Sequence, residues 1–584
     1  MTTATQIAAA VRSGQTSAEA MAREALARIS AYAEIQPAVW IYRLPEDDVL
    51  GYAMRVDARV AAGEDLPLAG VPFAIKDNID LAGVPTTAAC PEFAYVPVET
   101  ATVVARLIAA GAVPVGKTNL DQFATGLNGT RSPHGAPACV TNMAYVSGGS
   151  SSGSGVAVAA GLVPIALGTD TAGSGRVPAA FNGLIGFKPT KGRWSTAGLV
   201  PACRSIDCIT VFAHDPADAA LVDAVVAGYD PTDSWSRPLE TRALAPSRIG
   251  VPMPHQRLFF GDLAAERMYA QALDRAATMG AELVAIDCDP LLEAARLLYD
   301  GPWVAERTAA LGTFLDTHAD AIDPVVRGIV EGGRGRSAVE VFNGIYRLAE
   351  LKSQADALWG RIDALLLPTS PTIYRIAEMR ASPVALNSHF GLWTNFVNLL
   401  DLAAIAVPAG WRRNATGFGV TLIGPAWTDR ALIDWAAQWC AGDPWPAPAP
   451  DLTGDFVETV HLAVVGAHLE GMPLHWQLTS RNAKLVSTTT TAPTYRLYAM
   501  ADSAPPKPAL VYDPTGGAIA LEVYELDMAA FGSFTAEVPP PLAIGTVTLA
   551  DGTMVKGFVA EPRALAGATD ITDLGGWRAY IASR

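Results

Sequence analysis

The chain has 584 residues, of which 50% are apolar and 17% charged, with 52 glycines and 42 prolines, which excludes a disordered or fibrous protein. Its length predicts roughly two to four compact units. A net charge of −16 argues against binding nucleic acid or an anionic membrane surface. No stretch has the length and apolarity of a membrane span. The first residues, MTTATQIAAAVRSGQT, lack the basic-then-apolar pattern of a secretory signal. Six scattered cysteines (Cys90, Cys139, Cys203, Cys208, Cys288, Cys440) form no C-x-x-C pair. They read as buried reduced thiols, so the expected compartment is the cytoplasm.

Thr2 to Ile35 reads as two helices broken at Gly14, the second opened by a capping box in Thr16-Ser17-Ala18-Glu19. A helix over about Asp47 to Ala62 follows. Gly70-Val-Pro-Phe-Ala-Ile-Lys76 is then an apolar strand that closes on a lysine. The chain has eight lysines against 34 arginines. An apolar setting lowers a lysine's pKa and yields a neutral amine able to take a proton. By itself such a lysine would more often snorkel to the surface. Ala101 to Ala110 reads as a helix and Val113 to Val115 as a strand. Gly111-Ala-Val-Pro-Val-Gly116-Lys117-Thr118 matches the phosphate-loop pattern, but a helix precedes it and the strand lies inside it, so nucleotide binding is not expected.

Two small-residue loops, GGSSSGSG with Ser150 and DTAGSGR with Ser174, flank a predicted helix (Ser154 to Gly161) and strand (Val163 to Leu167). Glycines let backbone N–H groups approach a ligand, and the serines place hydroxyls beside it. A flexible linker would not enclose an apolar helix–strand unit. Gly149-Ser-Ser151-Ser-Gly153 also fits a nucleophile elbow, but the segment before it is a poor strand. Strand and helix alternate from Ser247 to Leu311. Apolar runs at 363–371, 402–410 and 418–424 complete an α/β pattern with a central sheet covered by helices on both faces.

After Cys440 the composition changes. Residues 441–455 read as a Pro-rich linker between a larger domain, 1–440, and a smaller C-terminal α+β domain, 456–584. Strands are expected there at 461–466, 495–500, 509–512, 518–525, 543–549 and 554–559. His461, His468 and His475 recur at a spacing that chelates no metal.

The motifs VPFAIK, GGSSSGSG and DTAGSGR, in this order and spacing, resemble those of the amidase signature family over roughly Thr16 to Ala437. Ala172 and Gly175 stand where many members carry Gly and Ile. The resemblance implies a mixed β-sheet core and a Ser–cis-Ser–Lys triad. Ser174 would be the nucleophile, Ser150 the relay after a cis peptide at Gly149–Ser150, and Lys76 the neutral base. The N–H groups of Thr171, Ala172, Gly173 and Ser174 would form the oxyanion hole, with neither metal nor organic cofactor. LYDGPWVAER, from Leu298 to Arg307, is similar to the segment that marks allophanate hydrolases within the family. Tyr299 and Arg307 would then bind the carboxylate of allophanate (urea-1-carboxylate), a role that suits the two-pronged guanidinium and the phenol. Gly466 to His475 resembles the accessory domain of those enzymes.

The expected reaction releases ammonia and N-carboxycarbamate, which then loses carbon dioxide. The alternatives are a broader amidase and one component of an amidotransferase. A homodimer functionally coupled to a urea carboxylase is the expected partnership. The C-terminal domain would serve oligomer contacts or speed loss of carbon dioxide, with His475 as the candidate proton carrier.

Overall fold

A computed structural model describes residues 2–442, 445, 447–448, 459–501 and 503–584. It divides into two units, Met1–Asp455 and Phe456–Arg584. Most of the proline-rich stretch read as a linker lies outside the described residues.

In the larger unit an 11-stranded sheet runs, in spatial order, Trp40–Arg43, Val113–Thr118, Pro72–Lys76, Ile165–Asp170, Cys208–Ala213, Ile185–Lys188, Leu402–Trp411, Gly417–Pro425, Ala364–Pro368, Arg248–Pro252, Glu282–Ile286. The sheet is mixed. Pro72–Lys76 pairs in parallel with both of its neighbours, whereas Ile165–Asp170 meets Cys208–Ala213 antiparallel. Successive side chains of a strand point to opposite faces. Accordingly Leu366 and Ile405 join one hydrophobic cluster, and Leu365, Leu367 and Ala404 join another across the sheet. Helices cover both faces, and the continuous apolar runs of these strands follow from that.

The N-terminal helices span Ala4–Arg12 and Ala18–Ala33. The predicted capping box is not formed at the second. Ser17 caps it by accepting from the Ala20 amide, while Glu19 pairs with Arg23 one turn on. The capping box forms at the first helix instead, between Thr3 and Gln6. Val113–Thr118 is longer than expected and takes Gly116 and Lys117 into the ladder between two neighbours. Lys117 is buried 3.1 Å from Asp77, so this phosphate-loop look-alike is a strand with an internal ion pair.

The smaller unit has a five-stranded sheet in the order Lys484–Thr490, Ala520–Asp527, Thr459–Val464, Met554–Ala560, Leu542–Thr548. A three-stranded sheet joins Pro508–Tyr512, Tyr495–Ala499 and Thr569–Asp570. Lys484–Thr490 is an edge strand that the sequence reading missed, since five of its seven residues are exposed and none is buried.

Candidate active site

Parallel pairing places the carboxyl ends of Pro72–Lys76 and Ile165–Asp170 at one edge of the sheet, where ligands of open α/β folds bind. The helix Ser152–Ala159 runs back against the direction of the strand that follows it, and so brings its amino end to the same edge. Lys76, the Ser150 loop and the loop after Asp170 therefore converge. The structure starts this helix two residues earlier than the sequence suggested and runs the strand on to Asp170.

Lys76 is fully buried, and its Nζ donates to Ser150 Oγ at 2.8 Å and to Thr169 Oγ1 at 2.6 Å. Burial lowers its pKa to about 7, although Asp121, Asp207 and Asp170 pull the other way. The amine is thus available in its neutral form near neutral pH. The Gly149–Ser150 peptide bond is cis. A Cβ on Gly149 would collide with the Asp121 carboxylate and the Gly129 amide, so only glycine fits there.

Ser174 is 2% exposed, and its hydroxyl donates to the Gly126 carbonyl at 3.4 Å; no hydrogen bond links it to Ser150. Bonds of this kind are often long without substrate and tighten when it binds. Its loop is braced by Asp170, which accepts from the Gly173 amide at 2.7 Å, the Gly175 amide at 3.2 Å and the Arg176 guanidinium. Burial would raise the Asp170 pKa, but Arg176 and these amides outweigh it and hold the group below the usual carboxylate range. The Gly173 N–H is therefore already spent, which corrects the four-donor oxyanion hole. The N–H groups of Thr171, Ala172 and Ser174 have no such partner among the described residues. Gly173 has φ +133°, and a Cβ there would strike Thr394.

Ser151, centre of the elbow look-alike, is held from both sides: its hydroxyl donates to Thr169 O at 3.1 Å and accepts from Thr169 N at 3.2 Å. It is structural.

Tyr299 and Arg307 lie before and on the helix Trp303–His318. Arg307 is 1% exposed. Its guanidinium donates to Thr125 Oγ1 at 2.9 Å and to Tyr299 OH at 3.5 Å, and its carbon sits 5.2 Å from the Tyr299 ring centre. Its Nε has no partner. The adjacent Glu306 is occupied by the amide and hydroxyl of Ser205. Among the described residues no carboxylate pairs with this buried cation. Buried charges are normally paired, so the arrangement suits an incoming anion.

Several residues here carried no signal in the sequence. Asp121 accepts from the amides of Asn128, Gly129 and Arg131, and its own N–H donates to Ser150 O. Asp207 accepts from the Thr171 hydroxyl, and burial raises its pKa to about 6. Asn398 donates to the carbonyls of Asp170 and Thr171. Asp207 and Asn398 reach partners far away in the chain, Thr171 and Asp170, whereas Asp121 braces the loop that follows it.

The histidines of the smaller unit are separately engaged. His461 faces Glu525 at 3.6 Å, His468 meets Gln477 at 2.8 Å, and His475 Nδ1 lies 3.2 Å from the His468 carbonyl. Among the described residues there is no cluster of three metal-binding side chains.

The fold and this site define an amidase. The amidase family model matches residues 21–433, and the chain belongs to that family. Residues 460–582 match the model of the allophanate hydrolase C-terminal domain. The urea amidolyase of Saccharomyces cerevisiae is 44% identical over 93% of this chain but 31% of its own length, so the chain spans less than a third of that relative. A component of the glutamyl-tRNA(Gln) amidotransferase of Cyanothece is 33% identical over 75% of this chain and 98% of its own. The solved structure of Kluyveromyces lactis allophanate hydrolase superposes with a TM-score of 0.70 at 41% identity, covering 98% of this chain and 97% of that one.

Proposed function

We propose that this amidase hydrolyses allophanate to ammonia and N-carboxycarbamate. The observation that carries the reading is Arg307, a buried guanidinium beside Tyr299 with no carboxylate of its own, in an amidase site. An amide with a free carboxylate, as in allophanate, supplies the missing charge. The likeness to the K. lactis allophanate hydrolase and the match over residues 460–582 support it.

In this mechanism neutral Lys76 takes the proton of Ser150, Ser150 takes that of Ser174, and Ser174 Oγ attacks the amide carbon. The amides of Thr171, Ala172 and Ser174 stabilise the oxyanion, each worth about 3 kcal/mol. The proton passes to the leaving nitrogen as the C–N bond breaks and ammonia departs. The carboxycarbamoyl group remains on Ser174. Water, activated by the same relay, then releases N-carboxycarbamate, which loses carbon dioxide. Tyr299 and Arg307 hold the carboxylate throughout.

We read residues 1–440 as sufficient for ammonia release and 456–584 as an accessory domain. The chain would act in the cytoplasm as a homodimer, supplied by a urea-carboxylating enzyme. Five buried cysteines outside any disulfide (Cys90, Cys139, Cys203, Cys208, Cys288) support that compartment, and the longer urea amidolyase relatives support the pathway. The test is ammonia release by purified protein given allophanate. If allophanate is inert while uncharged amides turn over, the carboxylate reading fails.

A further inference from the structure

A cleft of the amidase unit, about 520 Å³, is far roomier than an anion of allophanate's size requires. Tyr299 lines it, and so does Leu127, which follows the Gly126 carbonyl that receives the Ser174 hydroxyl. The cleft thus borders the site at Tyr299, while Ser174, Ser150 and Lys76 lie beyond its lining. Its charge is opposite to that of the protein. Three arginines (Arg131, Arg296, Arg336) and one carboxylate (Asp300) line it, a balance of +2, in a chain whose net charge is −16.

These arginines are graded in depth. Arg131 is 3% exposed and forms part of the wall, donating to the carbonyls of Thr125 at 2.9 Å and Pro383 at 2.6 Å, while its Nε has no partner. Thr125 also holds Arg307 through its hydroxyl, so the inner arginine and the carboxylate-binding one are anchored to the same residue. Arg296 is exposed and forms no ion pair among the described residues. Arg336 donates to the Asp300 carbonyl at 2.9 Å and lies 3.4 Å from Glu340, which offsets part of its charge, so Arg296 is the principal cation at the mouth.

A diffusing anion is repelled by an acidic surface. A cleft with low-dielectric walls and cations of one sign focuses the field and concentrates the anion at its mouth. We propose that this cleft is a cationic vestibule in which Arg296 and Arg336 draw anionic amides from solution and pass them along Arg131 to Tyr299 and Arg307. The proposal rests on the carboxylate-amide reading above and adds the path by which that substrate enters. Arg296 and Arg336 do not touch the reacting atoms.

The test compares the wild type with the double variant R296Q/R336Q, with circular dichroism as a check that both fold. Initial rates on allophanate and on uncharged malonamide are measured from low to high NaCl. Wild-type kcat/KM for allophanate should fall as salt rises. In the variant it should start roughly tenfold lower and depend little on salt, the loss falling on kcat/KM and little on kcat. Malonamide kcat/KM should respond to neither change. Equal salt slopes for allophanate in the two proteins overturn the vestibule and leave the substrate reading standing. If the wild type does not hydrolyse allophanate, that reading fails separately. The vestibule is then decided by stopped-flow association of malonate, followed by tryptophan fluorescence. A variant association rate equal to the wild-type rate at low salt overturns it, and a slower, salt-insensitive rate upholds it.

Discussion

Replacing Arg307 with Met separates binding from folding, because the two should move in opposite directions. Against a substrate carboxylate the guanidinium makes a two-pronged contact, each charge-assisted bond worth about 1.5–3 kcal/mol. Losing both costs about 3–6 kcal/mol, or about 10²–10⁴ in kcat/KM for allophanate. Malonamide, with no carboxylate, should lose little. In the unliganded protein Arg307 has one good hydrogen bond, to Thr125, a long one to Tyr299, and an unpartnered Nε. Burial works against this cation while the fields of Cys203, Tyr299, Asp207 and Glu306 hold its pKa up. With no carboxylate paired to it directly among the described residues, we take the desolvation cost as the larger, and methionine fills a similar volume with no charge to desolvate. We expect the unliganded variant to be more stable than the wild type by about 1–3 kcal/mol. Malonate, a dicarboxylate shaped like the product, should stabilise the wild type by about 2.7 kcal/mol at a hundred times its Kd and the variant hardly at all. The assay is denaturant unfolding of the amidase unit with and without malonate, alongside ammonia release. A variant less stable than the wild type without ligand would falsify the reasoning, since the protein would then already satisfy this charge by itself.

The pH profile should report Lys76: kcat/KM rises with pH to a plateau above about 7, because only the neutral amine can accept the proton. Between about 7 and the ordinary lysine value the unfolded chain carries a proton there that the folded chain lacks, so the group's contribution to stability rises with pH across that window. A profile flat down to pH 5.5 would rule out Lys76 as the base. Lys76→Arg should not restore turnover, since arginine keeps its proton at any accessible pH; an active variant would mean that positive charge alone is needed. Ser174→Ala should remove turnover by several orders of magnitude in a folded protein. Ser151→Ala should instead cost about 1–3 kcal/mol of stability, through the two buried bonds to Thr169, and keep the chemistry. An acyl adduct trapped on Ser151 would reverse those roles. Cutting the chain at Pro450 should leave ammonia release intact. A folded fragment that releases none would show that the C-terminal unit takes part in the first step.

What could be read in advance was what repeats or clusters along the chain. The apolar runs at 363–371, 402–410 and 418–424 announced buried strands, because a strand covered on both faces has no need of polar alternation. The serine loops and the strand ending at Lys76 were visible as motifs, and the structure sets Lys76 Nζ 2.8 Å from Ser150 Oγ. The strand Trp40–Arg43 and the edge strand Lys484–Thr490 were missed: the first is short, and the second is too exposed to show a pattern. Thr169, Asp121 and Asp207 were illegible for a different reason. Thr169 and Asp207 pair with residues that only the fold brings near, such as Thr169 with Lys76 across 93 positions of chain, and Asp121 holds loop amides that no periodic pattern marks. The Gly173 amide shows the converse: a short-range side chain three residues back, Asp170, claims a donor that the motif seemed to offer.

Lys76, Ser150 and Ser174 stand on the sheet edge and its loops, whereas Arg307 projects from the helix Trp303–His318, which adds no strand to that sheet. On the proposed reading, reaction machinery and recognition occupy separable parts of one unit, joined through Thr125 and the neighbouring Gly126 carbonyl. For protein engineering this is a division of labour. A library confined to residues 295–336 would vary the acyl group accepted while leaving the hydrolytic relay untouched. The same arrangement would let substrate preference change through this one segment while the means of breaking an amide bond stays as it is.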